Sequence, residues 1–153
     1  ESSLMQVEIP SNHHIQFVKE YDDVVPTKVN AKKINKAFLA LISNAVLAVD
    51  DSAKIILRTT QLKSHIRIDI IDNGCGIPED ALTTVFNPFY TTRKIGEGVG
   101  LGLHMAQNAA ESHGGALNVS SKVGRGTVLT MILPIRSCEM NASDWPMDTQ
   151  LSL

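Results

Sequence analysis

The sequence has few cysteines, no long hydrophobic run and no excess of either charge. Cys75 and Cys138 are far apart and lack a Cys-x-x-Cys or Cys/His spacing. This excludes a disulfide framework and a zinc site, and it favours a reducing, cytoplasmic setting. The longest nearly apolar run, 37–49, includes Ser43 and Asn44 and is shorter than the roughly 20 residues that a membrane span requires. A net charge of -2 argues against a broad basic surface for nucleic acid or an anionic membrane, so any anion must be held locally.

The remaining composition is typical of one globular domain, with 153 residues of which 43% are hydrophobic and 20% charged. Apolar residues recur at helical spacing over 31–50 and 101–113. Runs rich in β-forming residues predict strands at 14–21, 54–60, 65–72, 116–121 and 127–133. The stretch 73–100 is rich in Gly, Pro, Thr and Asn, with one helical turn near 78–82. A segment of this length without periodicity is typical of a functional loop.

The glycines do not follow either common nucleotide-loop spacing. Neither Gly-x-x-x-x-Gly-Lys-Ser/Thr nor Gly-x-Gly-x-x-Gly directly after a strand occurs. The glycines fall instead into three groups, after a strand, before a helix and before the last strand: Gly74 and Gly76; Gly96, Gly98, Gly100 and Gly102; Gly124 and Gly126. Each group alone indicates little, because turns use glycine for positive φ in any case.

Asp72 ends the predicted strand 65–72, with its side chain on the same face as the apolar residues of that strand. The sequence Asp72-Asn-Gly74 can be a simple turn, since Asp and Asn favour turns through local hydrogen bonds. Alternatively, Asp72 accepts a hydrogen bond from an exocyclic amine in an apolar pocket. In that case Gly74 and Gly76 let a flat ring approach the backbone.

Two other features have a structural and a functional interpretation. The glycines that lead to Leu101 expose backbone N–H groups at the positive end of a helix, which suits phosphate oxygens, whereas a hinge is the alternative. A lid that closes over a ligand can use both properties. Asn44 interrupts the apolar stripe of the first helix. Its amide can satisfy a neighbouring carbonyl, or it can bind Mg²⁺ beside substrate phosphates.

The order of these pieces resembles the catalytic domain of the sensor histidine kinases. The helical segment 37–45, which contains Asn44, is similar to their asparagine box. Further motifs follow in the family's order: Asp72-Asn-Gly-Cys-Gly-Ile77 and Phe86-Asn-Pro-Phe-Tyr-Thr-Thr-Arg93, then Gly98-Val-Gly-Leu-Gly-Leu103, and last His113-Gly-Gly115 with Gly124-Arg-Gly-Thr127. The agreement in order across about 15–135 is specific, although each motif alone is not.

The resemblance implies an α/β two-layer sandwich with a mixed β-sheet and helices on one face, the Bergerat ATP-binding fold of the GHKL group. It implies ATP and Mg²⁺ as cofactors, with Asn44 as the metal ligand and catalytic residue. Asp72 would hold the adenine amine with Thr127 nearby, and Phe86 and Phe89 would anchor a lid. The implied nucleotide contacts are Asn44, Asp72, Gly74, Gly76, Ile77, Phe89, Gly98, Gly100, Leu101, Gly102 and Thr127.

The resemblance also implies a division of the chain and a set of partners. We expect 1–13 to be a linker remnant from an upstream dimerisation and phosphoacceptor region, 14–136 to be the catalytic domain and 137–153 to be an acidic tail. None of the five histidines has the family's phosphoacceptor setting. The γ-phosphate would therefore pass to a histidine on the dimerisation domain of the parent kinase, which serves a response regulator. The isolated domain is expected to be a cytoplasmic monomer, and membrane anchoring of the parent stays open.

The sequence departs from the family's pattern in the first helix. Many members carry Asn one turn before the metal asparagine and Glu or Gln one turn earlier, where this chain has Ala40 and Lys36. The alternative function is therefore an ATP-binding regulatory module with weak or no phosphotransfer. Gyrase-type and chaperone ATPases place a water-activating Glu at the position of Ala40, so efficient hydrolysis is not expected. Lys36 lies either near the phosphates or among solvated lysines, and His104 either contacts the nucleotide or packs.

Overall fold

The computed structural model has the order of elements that the sequence predicts. It describes residues 14–50, 53–91 and 99–136, so the expected linker remnant 1–13 and acidic tail 137–153 lie outside the described residues. The elements are β1 Ile15–Tyr21, α1 Ala31–Ala48, β2 Ala53–Gln61, β3 His65–Asp72, one 3-10 turn Glu79–Ala81, α2 Gly102–Ser112, β4 Ala116–Lys122 and β5 Gly126–Pro134. Of the described helices, neither α1 nor α2 has the length and hydropathy that a membrane crossing requires.

The described strands form one mixed sheet in the order β1-β2-β3-β5-β4. β1 is parallel to β2, and the other neighbours are antiparallel. Because side chains alternate between the faces of a strand, each strand contributes one apolar set to the side that the helices cover. The buried members of this set are Ala53, Ile55, Leu57, Ile70, Leu117, Leu129, Met131 and Leu133. The predicted two-layer α/β sandwich is therefore confirmed.

Helix α1 supplies most of the helical side of the core. Asn30 caps its start: the Asn30 side chain accepts the backbone N–H of Lys33 at 3.1 Å and so satisfies one of the unpaired donors of the first turn. No Gly or Pro interrupts the helix. Its buried residues recur at helical spacing: Ile34, Ala37, Leu41, Ile42, Ala45 and Val46. Asn44 lies half-buried beside this stripe, at the shoulder predicted from the sequence.

Helix α2 packs against α1 through small side chains. Ala109 and its neighbours Ala106 and Ala110 are buried, and small residues at a helix contact permit a short distance between the axes. His113, at the end of α2, is buried and joins the two helices. Its Nδ1 donates to the Ala109 carbonyl at 2.7 Å, and its Nε2 accepts the Asn30 N–H at 2.9 Å. The end of α2 is thus fixed to the start of α1.

Strand β3 carries one buried aspartate on each face of the sheet. Asp69 is 2% exposed on the face away from the helices, and it accepts hydrogen bonds from Arg67 Nε and Thr130 Oγ1 at 3.0 and 2.6 Å. Asp72 is 5% exposed on the helix-facing side, and its backbone partner on β5 is Thr127. The two carboxylates therefore lie on the same strand but on opposite faces of the sheet.

Candidate functional site

A cavity of about 550 Å³ lies where α1, the start of α2 and the ends of β3 and β5 meet. Sites for small molecules commonly have volumes of roughly 300–1,000 Å³. Most of the predicted contacts line this cavity: Asn44, Asp72, Gly76, Ile77, Gly100, Leu101, Gly102 and Thr127. Gly74 and Phe89 are not among the lining residues, and Gly98 lies outside the described residues.

Asp72 presents a carboxylate at the end of the cavity that the sheet forms. Its Oδ1 accepts the N–H of Gly74 at 2.9 Å and the N–H of Thr127 at 3.2 Å. Within the described part of the chain, both hydrogen bonds to this carboxylate reach Oδ1 and none reaches Oδ2. Burial raises the pKa of Asp72 above its ordinary value of 3.8, and the two backbone hydrogen bonds oppose that rise. The arrangement can accept a hydrogen bond from a ligand amine.

Ser121 connects the residues around Asp72, although no sequence motif singled it out. Its Oγ accepts the Ile77 N–H at 2.8 Å, donates to the Gly126 carbonyl at 2.8 Å and lies 2.9 Å from Thr127 Oγ1. The register of β4 and β5 places Ser121 directly opposite Thr127. That register follows from the short glycine turn between the two predicted strands, which is the signal that could have identified Ser121.

Gly74 and Gly76 shape the loop that follows β3. A Cβ at Gly74 would overlap the carbonyl oxygen of Ala48, and a Cβ at Gly76 would overlap that of Lys122. Gly76 also has φ of +74°, a conformation that side chains disfavour. The N–H of Cys75, between them, donates to the Ala48 carbonyl at 2.9 Å. The loop is therefore held close against α1 and β4, which keeps Gly74 beside Asp72 but out of the cavity wall.

The opposite end of the cavity is formed by the two helices. Ala40 and Asn44, one turn apart on α1, both line it. Gly102 faces them, since a Cβ there would lie 3.4 Å from Ala40 Cβ and 3.7 Å from Asn44 Nδ2. Helix α2 begins after Leu101 without a hydrogen bond from a capping side chain, so backbone N–H groups and the positive helix end lie at this wall. Lys36 is exposed and does not line the cavity, which supports the interpretation of Lys36 as a solvated lysine.

The residues of this wall fit Mg²⁺ better than a transition metal. Among the described residues, no group of three His, Cys, Asp or Glu side chains is close enough to hold a metal ion. Mg²⁺ keeps several of its waters and needs few protein ligands when substrate phosphates bind it as well. Asn44 lines this wall, and an amide oxygen is a hard ligand of the kind that Mg²⁺ prefers.

The two phenylalanines of the Phe86–Phe89 segment have different environments. Phe86 packs against the hydrophobic core, which supports its predicted anchoring role. Phe89 is 70% exposed and has φ of +66°, and its backbone N–H donates to the Gly100 carbonyl at 3.0 Å. The contact that Phe89 makes with the glycine-rich segment is therefore made by its backbone, while its side chain lies toward solvent.

His104 packs on α2 and does not line the cavity. Its Nδ1 lies 3.1 Å from the Phe86 carbonyl, and its Nε2 lies 3.0 Å from the amide nitrogen of Asn108. The first contact requires Nδ1–H to donate, and the second lets Nε2 accept, so both ring nitrogens are occupied. Of the two interpretations that the sequence permits for His104, the structure supports packing.

The fold and the cavity together define a nucleotide-binding domain of the α/β sandwich class. A buried carboxylate lies at one end of the cavity, and an uncapped helix start and an amide lie at the other. Comparison with known families gives the particular assignment. Residues 29–137 match the family described as histidine kinase-, DNA gyrase B-, and HSP90-like ATPase, and the chain belongs to this family of ATP-using domains.

Sensor histidine kinases are among the relatives, which confirms the resemblance found in the motifs. The chain is 31% identical over 126 residues to the sensor histidine kinase ZraS of Escherichia coli strain K12, covering 82% of this chain and 27% of that protein. It is 36% identical over 123 residues to the signal transduction histidine-protein kinase AtoS of the same strain, covering 79% and 20%. The chain thus spans about a quarter or less of these relatives.

Solved structures give the same fold. The mycobacterial sensor histidine kinase MprB superimposes with a TM-score of 0.69 at 29% identity, covering 80% of this chain and 83% of that one. The catalytic domain of the histidine kinase ThkA superimposes with a TM-score of 0.70 at 27% identity, covering 79% and 80%. The chain is therefore similar in fold to the catalytic domain of a histidine kinase.

Proposed function

We propose that this chain is the ATP-binding catalytic domain of a sensor histidine kinase, which transfers the γ-phosphate of ATP to a histidine on a separate dimerisation domain. The names of the relatives and structural neighbours support this proposal. The observation that carries it is the cavity, which has a buried carboxylate at one end and an uncapped helix start with an amide at the other. Nucleotides need both, because the base is read by hydrogen bonds and the phosphates by N–H groups and metal.

In this proposal the sheet end of the cavity binds adenine. Asp72 accepts a hydrogen bond from the exocyclic amine, and Thr127 lies beside it on the neighbouring strand. Gly76 and Ile77 form the wall against which the ring lies, and Gly74 holds the carboxylate in place through its N–H. The burial of Asp72 strengthens the contact, because a charge-assisted hydrogen bond is worth more away from water.

The helix end of the cavity binds the phosphates. Gly100, Leu101 and Gly102 present backbone N–H groups, and Asn44 would hold Mg²⁺. Mg²⁺, when bound, neutralises charge on the phosphates during transfer. The part of this chain in catalysis is to position the γ-phosphate, and the acceptor comes from elsewhere. His104 and His113 support this division, since both ring nitrogens of each are already hydrogen-bonded.

Nucleotide binding and phosphotransfer are tested separately. Calorimetric titration of this chain with ATP, with and without Mg²⁺, is expected to show one site whose affinity rises with the metal. The chain joined to the dimerisation region of its parent kinase is then expected to pass label from the γ-phosphate to a histidine. An absence of ATP binding would overturn the whole proposal. Normal ATP binding without transfer to histidine would overturn the kinase assignment alone.

The second candidate is an ATP-binding regulatory module with weak phosphotransfer. Ala40 favours it, because its methyl group occupies a position on the cavity wall between Lys36 and Asn44 where many family members offer a polar side chain. The variant Ala40→Asn separates the two functions in the joined chain. A large rise in the rate of transfer supports the regulatory module, whereas a fast unmodified kinase that gains nothing excludes it.

A further inference from the structure

Three hydrogen bonds converge on the hydroxyl of Ser121, and their directions can be assigned. A serine hydroxyl has one proton to donate and two lone pairs to accept with. The Gly126 carbonyl can only accept, so the contact of 2.8 Å uses the Ser121 proton. The Ile77 N–H can only donate, so the contact of 2.8 Å uses one lone pair. All three contacts form together only if Thr127 donates its hydroxyl proton to Ser121 across the remaining 2.9 Å.

The consequence falls on the cavity, which Thr127 lines and Ser121 does not. Once its proton is committed to Ser121, the Thr127 oxygen can offer a ligand only lone pairs. Asp72, its register partner on β3, is also an acceptor in its ionised form. Two acceptors thus stand side by side on this wall, at the end of the cavity where the proposed function places the purine.

We propose that Ser121 is a positioning residue that fixes the Thr127 hydroxyl as an acceptor and thereby selects a purine with an amino group at position 6. This inference rests on the proposed function, and it assigns the base selectivity of the same site. A 6-amino group brings two N–H donors to two acceptors. A 6-oxo purine places an acceptor at this position and has one donor, N1–H, at the same edge, so at least one acceptor of the wall stays unpaired, which costs binding.

The test compares ATP with ITP, which differ at position 6 of the purine. We expect the unmodified chain to bind ATP more tightly. In Ser121→Ala the Thr127 proton is released and can turn toward the ligand, so the ratio of ATP to ITP affinity should fall by roughly tenfold, as expected for one hydrogen bond. Ser121→Cys removes most of the acceptor strength at nearly constant volume, so it should shift the ratio in the same direction even if the alanine variant does not fold.

Two controls separate this role from general support of the fold. Ser120→Ala changes the neighbouring residue, which is exposed on the opposite face of β4, and should leave both affinities unchanged. In a chain that already carries Thr127→Val, Ser121→Ala should no longer change the ratio, because its effect passes through the missing hydroxyl. A change in the ratio that persists in that background would overturn the assignment.

The failures of the two proposals are distinguishable. An unmodified chain that binds neither nucleotide contradicts the proposed function. An unmodified chain that binds ATP, and whose ATP to ITP ratio is the same in Ser121→Ala and Ser121→Cys, contradicts the role of Ser121 alone. Equal weakening of both nucleotides would show that Ser121 only supports the loop at Ile77, and that outcome also overturns the inference.

Discussion

The two ends of the cavity differ in the groups that form them. At the sheet end, Asp72, Thr127 and Ser121 lie in one row across three paired strands and are joined by hydrogen bonds of 2.8–3.2 Å to backbone or to each other. At the helix end, Asn44 projects from the C-terminal part of α1 toward the start of α2, which lacks a side-chain cap. At the sheet end, the hydrogen bonds within the protein fix which groups can accept from a ligand before it binds. The helix end offers N–H groups to any anion of suitable size.

This difference implies a division of labour within one site. Fixed acceptors distinguish one base from another, because a mismatched group leaves a buried atom unpaired. A helix start and a metal ligand respond to charge and contribute affinity for phosphate without reading the base. We therefore expect base selectivity to be lost by changes at the sheet end and metal dependence by changes at the helix end.

The largest effect is expected from Asp72→Asn. An Asn side chain can still accept the N–H groups of Gly74 and Thr127, so the fold should survive, but the charge-assisted hydrogen bond to the ligand amine is lost. A hydrogen bond to a charged group is worth about 1.5–3 kcal/mol, so ATP affinity should fall by about 10- to 100-fold in a calorimetric titration. Unchanged affinity would contradict the adenine assignment.

The matched control is Asp69→Asn, on the same strand and buried on the opposite face. This carboxylate is held by Arg67 and Thr130 and does not line the cavity. Loss of its charge should lower the free energy of unfolding by about 1–3 kcal/mol in urea titrations and leave ATP affinity unchanged. A variant pair in which Asp69→Asn also weakened ATP binding would show that the effect of Asp72→Asn is not local.

A smaller effect, of roughly tenfold, is expected from Asn44→Ala. This change removes the proposed metal ligand but leaves the sheet end intact. Affinity for ATP should fall in the presence of Mg²⁺ and change little in its absence, and affinity for adenosine should not change in either condition. Calorimetry with the two ligands checks this directly. A loss of adenosine affinity would mean that Asn44 shapes the adenine end too.

Much of this molecule could be predicted from its sequence, for identifiable reasons. The stripe of α1 and the alternation in β3 depend on local periodicity, so both elements and the inward direction of Asp72 were predicted correctly. The role of Ser121 could not be predicted in this way, because it depends on the pairing of β4 with β5 and on a loop that follows β3. The exposure of the Phe89 side chain could not be predicted either, because it follows from a positive φ and no side-chain pattern indicates that conformation.

The smallest effect concerns pH and the cost of burying Asp72. Its folded-state pKa is raised above the ordinary 3.8 because burial outweighs the two backbone hydrogen bonds. The folded chain therefore holds this proton more tightly than the unfolded chain does, so the contribution of Asp72 to stability is present below pH 3.8 and is lost as pH rises through the folded-state pKa. Asp72→Asn stays neutral, so its stability relative to the unmodified chain should increase over that interval.

Two measurements check this expectation. A carbon NMR titration of the Asp72 carboxyl should give a midpoint above 3.8. Urea unfolding at several pH values should show that the free energy of unfolding of Asp72→Asn rises relative to that of the unmodified chain over the same interval. A midpoint at or below 3.8 would mean that the N–H groups of Gly74 and Thr127 offset the whole cost of burial. The ionised carboxylate at the sheet end would then cost the fold no stability. The two ends of the cavity would still differ, because the sheet end offers hydrogen-bond acceptors and the helix end offers donors.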